Sequence, residues 1–219
     1  KVMPKDYAVC DLAISPNEMT VASIKSAQTL EPFGEANPKP VYAILNAKIT
    51  AIRPIKEGKY TQITLDYGGV LVQVISFRIP TKEFCYKTGD IVDLRVTADI
   101  NEYKGNERIS LTLLDIRPSN FNEDKYFIAK SVYEDMKSGK GIEEKFLKRV
   151  IPSRDDMVKL YKLIKDKTVN CDNLYFEAVK ENISYAMMMT AIDAFCECGL
   201  AQYDYSKFTV TGLKSDKKV

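Results

Sequence analysis

The sequence predicts an α+β protein, because the period of its apolar residues changes along the chain. Apolar and polar residues alternate from 41 to 117, which is the period of β-strands. From residue 121 onward apolar residues recur at intervals of three and four, which is the period of helices. A proline-rich stretch precedes the alternating region. The chain therefore divides into a tail and proline-rich linker at 1–37, a β domain at 38–118 and a mostly helical domain at 119–219.

The N-terminal segment predicts one short helix, at roughly residues 16–30, that ends at a stiff connector. Ser15 is suited to the N-cap position and Pro16 to the first helical turn. Pro32 ends the helix, because proline disfavours the helical conformation of the residue before it. Each proline in 32–40 also lacks a backbone donor, so this stretch is neither helix nor central strand.

The β domain is predicted to contain five strands. Gly68-Gly69 is typical of a two-residue hairpin turn, and a proline-containing segment at 80–89 separates the third strand from the fourth. This spacing favours an OB-fold barrel over a split sandwich of similar strand count. The predicted strands are Val41–Arg53, Tyr60–Tyr67, Val70–Arg78, Ile91–Tyr103 and Glu107–Ile116.

The C-terminal region is predicted to be a winged-helix-like domain, because its helices are followed by a hairpin at 200–212. Met188, Ile192 and Phe195 form one stripe of the last helix, which indicates core packing. That helix contains no lysine or arginine, so we do not expect it to read a DNA duplex. The predicted helices are 123–137, 155–165, 173–180 and 184–198.

Composition excludes several classes of enzyme. The chain has no histidine, which rules out Ser-His-Asp and Cys-His catalysis and histidine-based metal clusters. Gly139-Lys140-Gly141 lacks the spacing of a phosphate-binding loop. Cys196 and Cys198 form a C-x-C pair without two further ligands at suitable spacing, so no metal site is expected. We therefore expect this chain to have no catalytic residues and no cofactor of its own.

Other features of the sequence bear on its cellular setting. No apolar run approaches the roughly 20 residues that span a bilayer, and the N-terminus does not resemble a signal peptide. The five cysteines are an odd number and are scattered, which is typical of reduced thiols. We expect a cytoplasmic protein without membrane contact. Because the chain begins with Lys1 and not with methionine, we also expect it to be a piece of a longer protein.

The β domain is the most basic part of the chain, with 12 basic and 9 acidic residues at 38–118. OB-folds bind oligonucleotides on strands two and three and on the loops that join strands one to two and four to five. Burial of Ile63 would leave the alternate side chains of strand two facing outward, one of them aromatic. Aromatic and cationic residues at these positions predict a single-strand interface, since bases stack on aromatic rings and phosphates need counter-charge. The predicted binding residues are Arg53, Lys56, Lys59, Tyr60, Gln62, Lys104 and Arg108.

Strand three is ambiguous in this respect. Gln73 and Ser76 have opposite parity, so they cannot both face outward without a β-bulge. Parity therefore leaves Phe77 without a predicted side, and its residue type assigns it to the core.

The linker carries a family resemblance. The segment "LEPFGEANPKPVY" at 30–42 resembles the L-x-P-F-G-x-G-N-P-x-P-x-(Phe/Tyr) segment of the bacterial single-stranded-DNA-specific exonuclease family RecJ. Ala36 stands where the family usually has its second glycine. The stretch "ITLDYGGVLVQVISF" at 63–77 is also similar to the strand–turn–strand of that family. The linker residues that match are Leu30, Pro32, Phe33, Gly34, Asn37, Pro38, Pro40 and Tyr42.

The resemblance covers 11–118 and implies a function. In the family, the linker joins the DHH and DHH-associated catalytic core to an OB domain, and the core binds Mn²⁺ or Mg²⁺ through Asp/His motifs. None of those motifs is present here. Residues 119–219 resemble the C-terminal extension of members from low-GC Gram-positive bacteria. The resemblance thus implies a non-catalytic, single-stranded-DNA-binding region of a 5′→3′ exonuclease that acts in DNA repair and recombination.

One alternative of another class stays open at this point. The chain could be a protein-interaction module that docks a repair partner, such as a single-strand-binding protein or a helicase, while the barrel only braces the catalytic core. An independent enzyme is disfavoured by the missing histidine and phosphate loop.

Overall fold

The computed structural model describes residues 8–103 and 105–213, and the chain forms two compact units that divide after Phe121. Among the described residues, no helix is long and apolar enough to cross a membrane. The elements of the first unit are strand β1 (Leu12–Ala13), a 3-10 helix (Pro16–Glu18), helix α1 (Val21–Gln28), β2 (Val41–Ile55), β3 (Tyr60–Tyr67), β4 (Val70–Ser76), a second 3-10 helix (Thr81–Glu83), β5 (Ile91–Tyr103) and β6 (Asn106–Pro118).

Five of these strands close into a barrel in the order β2–β3–β4–β6–β5, and β5 returns to β2. β2 pairs with both β3 and β5, because register shifts near Ala47 and Thr50 let the long strand bend around the barrel. β4 and β6 pair in parallel, with Val74 opposite Leu111, and the other barrel pairs are antiparallel. This closed Greek-key order confirms the OB-fold prediction.

The barrel core comes from strict alternation along β3 and β4. Ile63, Leu65 and Val74 are fully buried, and Thr61 and Ser76 form the next inward-facing pair with their hydroxyls hydrogen-bonded. Burial of a hydroxyl costs little when it has such a partner.

The same alternation resolves the ambiguity of strand three and corrects one expectation. Ser76 faces inward and Gln73 outward without a bulge, since the pairing of β3 with β4 has no register shift. Phe77, the next residue, therefore points outward with 52% of its surface exposed, and its assignment to the core is wrong. The residue type was misleading because Ser76, whose Oγ accepts a hydrogen bond from the backbone N–H of Ile79 at 3.1 Å, fills the inward position.

The N-terminal segment forms less helix than expected. Residues 16–30 contain a 3-10 turn and the eight-residue α1 instead of one continuous helix. Thr20 takes the N-cap position of α1, and its hydroxyl accepts a hydrogen bond from the N–H of Ser23. Ile14 and Ile24 are buried, so this segment contributes to the core of the first unit.

The second unit is mostly helical, as predicted. The stripe of Met188, Ile192 and Phe195 on its last helix is buried, which confirms its core role. The short helix α3 and the strand β7 were not predicted, because four and three residues are too few for a periodic pattern. The unit contains α2 (Glu123–Lys137), α3 (Glu144–Leu147), α4 (Arg154–Ile164), β7 (Thr168–Asn170), α5 (Cys171–Lys180), α6 (Tyr185–Glu197), β8 (Ala201–Asp204) and β9 (Thr209–Gly212), with a sheet of order β7–β9–β8.

Candidate nucleic-acid interface

The loop between β2 and β3 brings two lysines onto one tyrosine. Lys56, Glu57 and Gly58 have positive φ angles of 48°, 58° and 87°, which turn the chain tightly between the strands. The backbone N–H of Thr81 donates to the carbonyl of Gly58 at 3.0 Å and holds the loop against the following segment. As a result the Nζ atoms of Lys56 and Lys59 lie 5.6 and 5.5 Å from the ring centroid of Tyr60, within cation–π range.

Phe77 completes this group from the position just after the neighbouring strand β4. Thr61 of β3 pairs with Ser76 of β4, so Tyr60 and Phe77 occupy adjacent positions just beyond that pair. Their ring centroids are 5.1 Å apart with planes at 73°, an edge-to-face contact. The half-exposed Phe77 ring therefore joins the ring of Tyr60 in one aromatic surface beside two cations. We call Lys56, Lys59, Tyr60 and Phe77 the aromatic–cationic cluster.

The outward face of the barrel continues from this cluster as a polar row. Gln62 is half-buried, and its Nε2 donates to Oε1 of Gln73 at 3.0 Å. Arg53 pairs with Gln62 across β2 and β3 and is exposed. These side chains offer amide and guanidinium groups within one or two residues of the aromatic rings.

Arg108 lies at the opposite end of the same face. Leu111 of β6 is the parallel partner of Val74 of β4. Arg108 lies three residues before Leu111, and Phe77 lies three residues after Val74, so the two are six strand positions apart. Six strand positions correspond to about 20 Å at roughly 3.3 Å per residue. Lys104 falls outside the described residues. The structure thus places Arg108 apart from five of the predicted residues, which lie near one another: Arg53, Lys56, Lys59, Tyr60 and Gln62.

The cations of this face differ from others of the same unit in their ion pairing. Within residues 8–103 and 105–213, Arg53, Lys56, Lys59 and Arg108 form no salt bridge. In contrast, Lys39 pairs with Asp99 on the same unit. Unpaired cations beside an exposed aromatic surface are suited to an anionic ligand that has flat rings.

Comparison with known proteins agrees with the fold. The family model described as the RecJ OB domain matches residues 10–115. Residues 10–115 are a RecJ OB domain. No curated protein matches the chain at a significant level.

Solved structures were compared with the chain as well. Two structures of RecJ from Thermus thermophilus, in complex with Mg²⁺ and with Mn²⁺, are each 21% identical, with TM-scores of 0.35 and 0.39. They cover 49% and 52% of this chain, which itself spans 16% of theirs. The mitochondrial single-stranded DNA binding protein Rim1 of S. cerevisiae is 14% identical over 36% of this chain and 95% of its own, with a TM-score of 0.31.

The linker of this RecJ OB domain is held by one asparagine. Nδ2 of Asn37 donates to the carbonyls of Leu30 and Pro32 at 2.7 and 3.1 Å, and its backbone N–H and C=O both pair with Gly34. Ala36 does not have a positive φ angle, so alanine fits at this position without strain. Of the motif residues Pro32, Phe33, Gly34, Asn37, Pro38 and Pro40, the hydrogen-bonded turn thus joins Pro32, Gly34 and Asn37. Pro38 and Pro40 follow the turn and lead into β2.

Sequence reasoning did not include Phe77 and Gln73 in the candidate interface. The signal that could have found them was the alternation of Val72, Val74 and Ser76, which puts the residues between and after them on the outer face.

Among the described residues, no group of His, Cys, Asp and Glu side chains could hold a metal ion.

Proposed function

We propose that this chain is a non-catalytic, single-stranded-DNA-binding part of a RecJ-like 5′→3′ exonuclease in DNA repair and recombination. The aromatic–cationic cluster is the observation that carries the proposal. Bases stack on aromatic rings for about 1–3 kcal/mol each, whatever their sequence. Lys56 and Lys59 stand beside Tyr60 and Phe77, so a base stacked there would have its phosphates within reach of cations.

The extent of the face supports a strand that is gripped at more than one point. Arg53, Gln62 and Gln73 continue the surface from the cluster, and Arg108 lies about 20 Å along it by strand register. An extended single strand is able to follow such a row, whereas a duplex would need a helix or ribbon in its major groove.

Hydrolysis is assigned in this proposal to a DHH core, with Mn²⁺ or Mg²⁺, outside these residues. The hydrogen-bonded turn of Asn37 would act as a stiff joint between that core and the barrel.

The order of α4, β7, α5, α6 and the β8–β9 hairpin, with β7 as third strand, supports a winged-helix-like second domain. A cytoplasmic location fits this role.

Fluorescence anisotropy with labelled oligothymidine tests the proposal. We expect binding at roughly 50 mM salt that weakens as salt rises, because single strands release counterions with a slope of about 0.7 per phosphate contact. The double variant Lys56→Ala and Lys59→Ala should lower that slope by about 1.4. Lys48→Ala with Lys162→Ala is the matched control, since both residues are exposed and lie outside the cluster.

The control should bind like the unaltered chain. Binding that is absent at low salt, or that shows no salt slope, contradicts the proposal. Unchanged affinity in the cluster variant would instead favour the alternative in which the barrel only braces the catalytic core.

A further inference from the structure

The contact that closes the barrel between β4 and β6 is short. The two strands run parallel, and the earlier parts of both, 70–73 and 106–110, lie outside the pairing that joins them. These two stretches therefore border a gap in the sheet, which we call the β4–β6 gap. Within the described residues, the pairs that join the strands are Val74 with Leu111 and Ile75 with Thr112.

The backbone of β4 has hydrogen-bonding groups that point into this gap. Gly68-Gly69 is a two-residue turn, so the pair that flanks it, Tyr67 with Val70, is a hydrogen-bonded one. Hydrogen-bonding direction alternates along a strand, and the N–H and C=O of Leu71 therefore point away from β3. Leu71 lies outside the ladder to β6, and no other backbone partner for it is found in the described part of the chain. An unpaired strand edge is a template for another strand.

The opposite wall of the gap is a second such edge. Residues 106–110 of β6 pair with β5 on one side, from Asn106 with Tyr103 to Ser110 with Asp99. Their other side faces β4 without a strand partner among the described residues. One inserted strand would therefore pair with both walls and complete the sheet at this end of the barrel.

The β4 edge lacks the usual protection against strand pairing. Edge strands are commonly shielded by a charged side chain, a proline or a β-bulge. The segment from Val70 to Phe77 has no charged residue and no proline, and its pairing with β3 has no register shift. Leu71 is 72% exposed, and Val70, which shares the inward parity of the buried Val72, is still 39% exposed. An open apolar edge of this kind is suited to strand addition.

The side chains around the gap define the chemistry of an inserted strand. On the inward side the walls are apolar, with Val70 and Val72 on β4 and the half-buried Ile109 on β6. Side chains alternate along a strand, so the occupant needs an apolar residue at every second position and small polar residues such as threonine between them. The outward residues of the two walls are Leu71, Gln73, Arg108 and Ser110.

We propose that the β4–β6 gap binds an extended peptide segment of a partner protein by β-strand addition. The walls present a row of N–H donors and C=O acceptors, and an extended peptide backbone is complementary to that row at every second residue. A nucleic acid strand has no such row. A second copy would have to bring a complete barrel to an edge that β6 borders on its far side, where a single strand is able to enter. The proposal does not depend on the DNA-binding function of the barrel.

Three labelled synthetic peptides and the full chain test this inference by fluorescence anisotropy. The probe alternates valine with threonine over eight residues between Gly-Ser ends. One control peptide has the same sequence with N-methylated amides, which removes its backbone donors. The other has the same composition with the valines and threonines in separate blocks. We expect measurable binding of the probe and at least tenfold weaker binding of both controls.

Amide hydrogen exchange locates the binding site in the unaltered chain. We expect the probe to slow exchange of the Leu71 amide at least tenfold, because this N–H gains a carbonyl partner. Exchange in the β7–β9–β8 sheet of the second unit should not change, and it serves as the internal control.

One variant removes the edge donor itself. Leu71→Pro deletes an N–H that points away from β3, so the pairing of β4 with β3 is retained, as at other edge-strand prolines. It should weaken the probe at least tenfold. Leu71→Thr is the matched control, since it keeps the N–H and a β-branched side chain, and its affinity should stay within about threefold. A melting curve shows whether Leu71→Pro is folded; if it is not, the exchange rate at Leu71 decides the question.

Several results would overturn the inference. They are equal affinity for the probe and its N-methylated form, an unchanged exchange rate at Leu71, or an equal loss in Leu71→Thr and Leu71→Pro. Oligothymidine that displaces the probe and slows exchange at Leu71 would assign the gap to DNA. Self-association in sedimentation that Leu71→Pro abolishes would assign it to a second copy.

Discussion

Replacing Phe77 by alanine separates an interface role from a structural role. A core phenylalanine typically costs about 3–5 kcal/mol of stability when it is truncated to alanine. Phe77 is 52% exposed, and its ring contact is the edge-to-face pair with Tyr60. Aromatic pairs contribute about 0.5–1.5 kcal/mol beyond burial. With half of the ring already in solvent, we expect Phe77→Ala to reduce the free energy of unfolding by about 1–2 kcal/mol.

Phe77→Ala should also weaken DNA binding. Loss of one stacked base costs about 1–3 kcal/mol of binding free energy, which corresponds to a dissociation constant that is roughly 5- to 140-fold larger. The salt slope should not change, because the substitution removes no cation. Lys56→Ala should do the reverse and reduce the slope by about 0.7.

Two measurements check this prediction. Urea unfolding followed by circular dichroism gives the stability, and oligothymidine anisotropy across a salt series gives the affinity and slope. Ile75→Ala is a useful control, since Ile75 is half-buried on the outward face of β4, two residues before Phe77, but has no ring. A stability loss above about 3 kcal/mol with unchanged affinity would refute the assignment of Phe77 to the interface.

Three further predictions concern the scaffold. Gly212→Ala should destabilise the second unit by several kcal/mol, because its Cβ would lie 2.3 Å from the backbone oxygen of Ile164; thermal melting measures this. Tyr67→Phe should cost about 1–3 kcal/mol in urea unfolding, because it removes a buried hydroxyl that donates to a backbone carbonyl. Hydrogen bonds from Ser15 hold the pKa of Glu18 below its ordinary value. That lowered pKa stabilises the fold above the unfolded value of 4.5 and less as pH falls through it, so Ser15→Ala should raise the pKa in an NMR titration.

Local sequence signals were sufficient for the barrel and for part of its interface. Gly68-Gly69 and the alternation of β3 define a hairpin through interactions between near neighbours, and they gave the correct strands. The side of Tyr60 followed from the burial of Ile63 on the same strand. Strand ends were less exact: β2 continues through Pro54 to Ile55, and β4 stops at Ser76.

Contacts between distant residues were beyond the reach of pattern reasoning. The pairing of Tyr60 with Phe77 depends on strand register, and β7 exists because β9 provides its hydrogen-bonding partner. The separation of Arg108 from Lys56 follows from the parallel pairing of β4 with β6, which no local pattern contains.

The sequence by itself determined the OB-fold, the proline-rich linker and the residue types suited to a single strand, because these depend on period, turn chemistry and composition. Only the tertiary structure decided which of those residues share a surface. It placed two lysines over Tyr60, moved Phe77 from the core to the solvent beside it, and set Arg108 at the far end. The physical reason is that side-chain neighbours across a barrel are set by register and closure, which couple residues far apart in the chain.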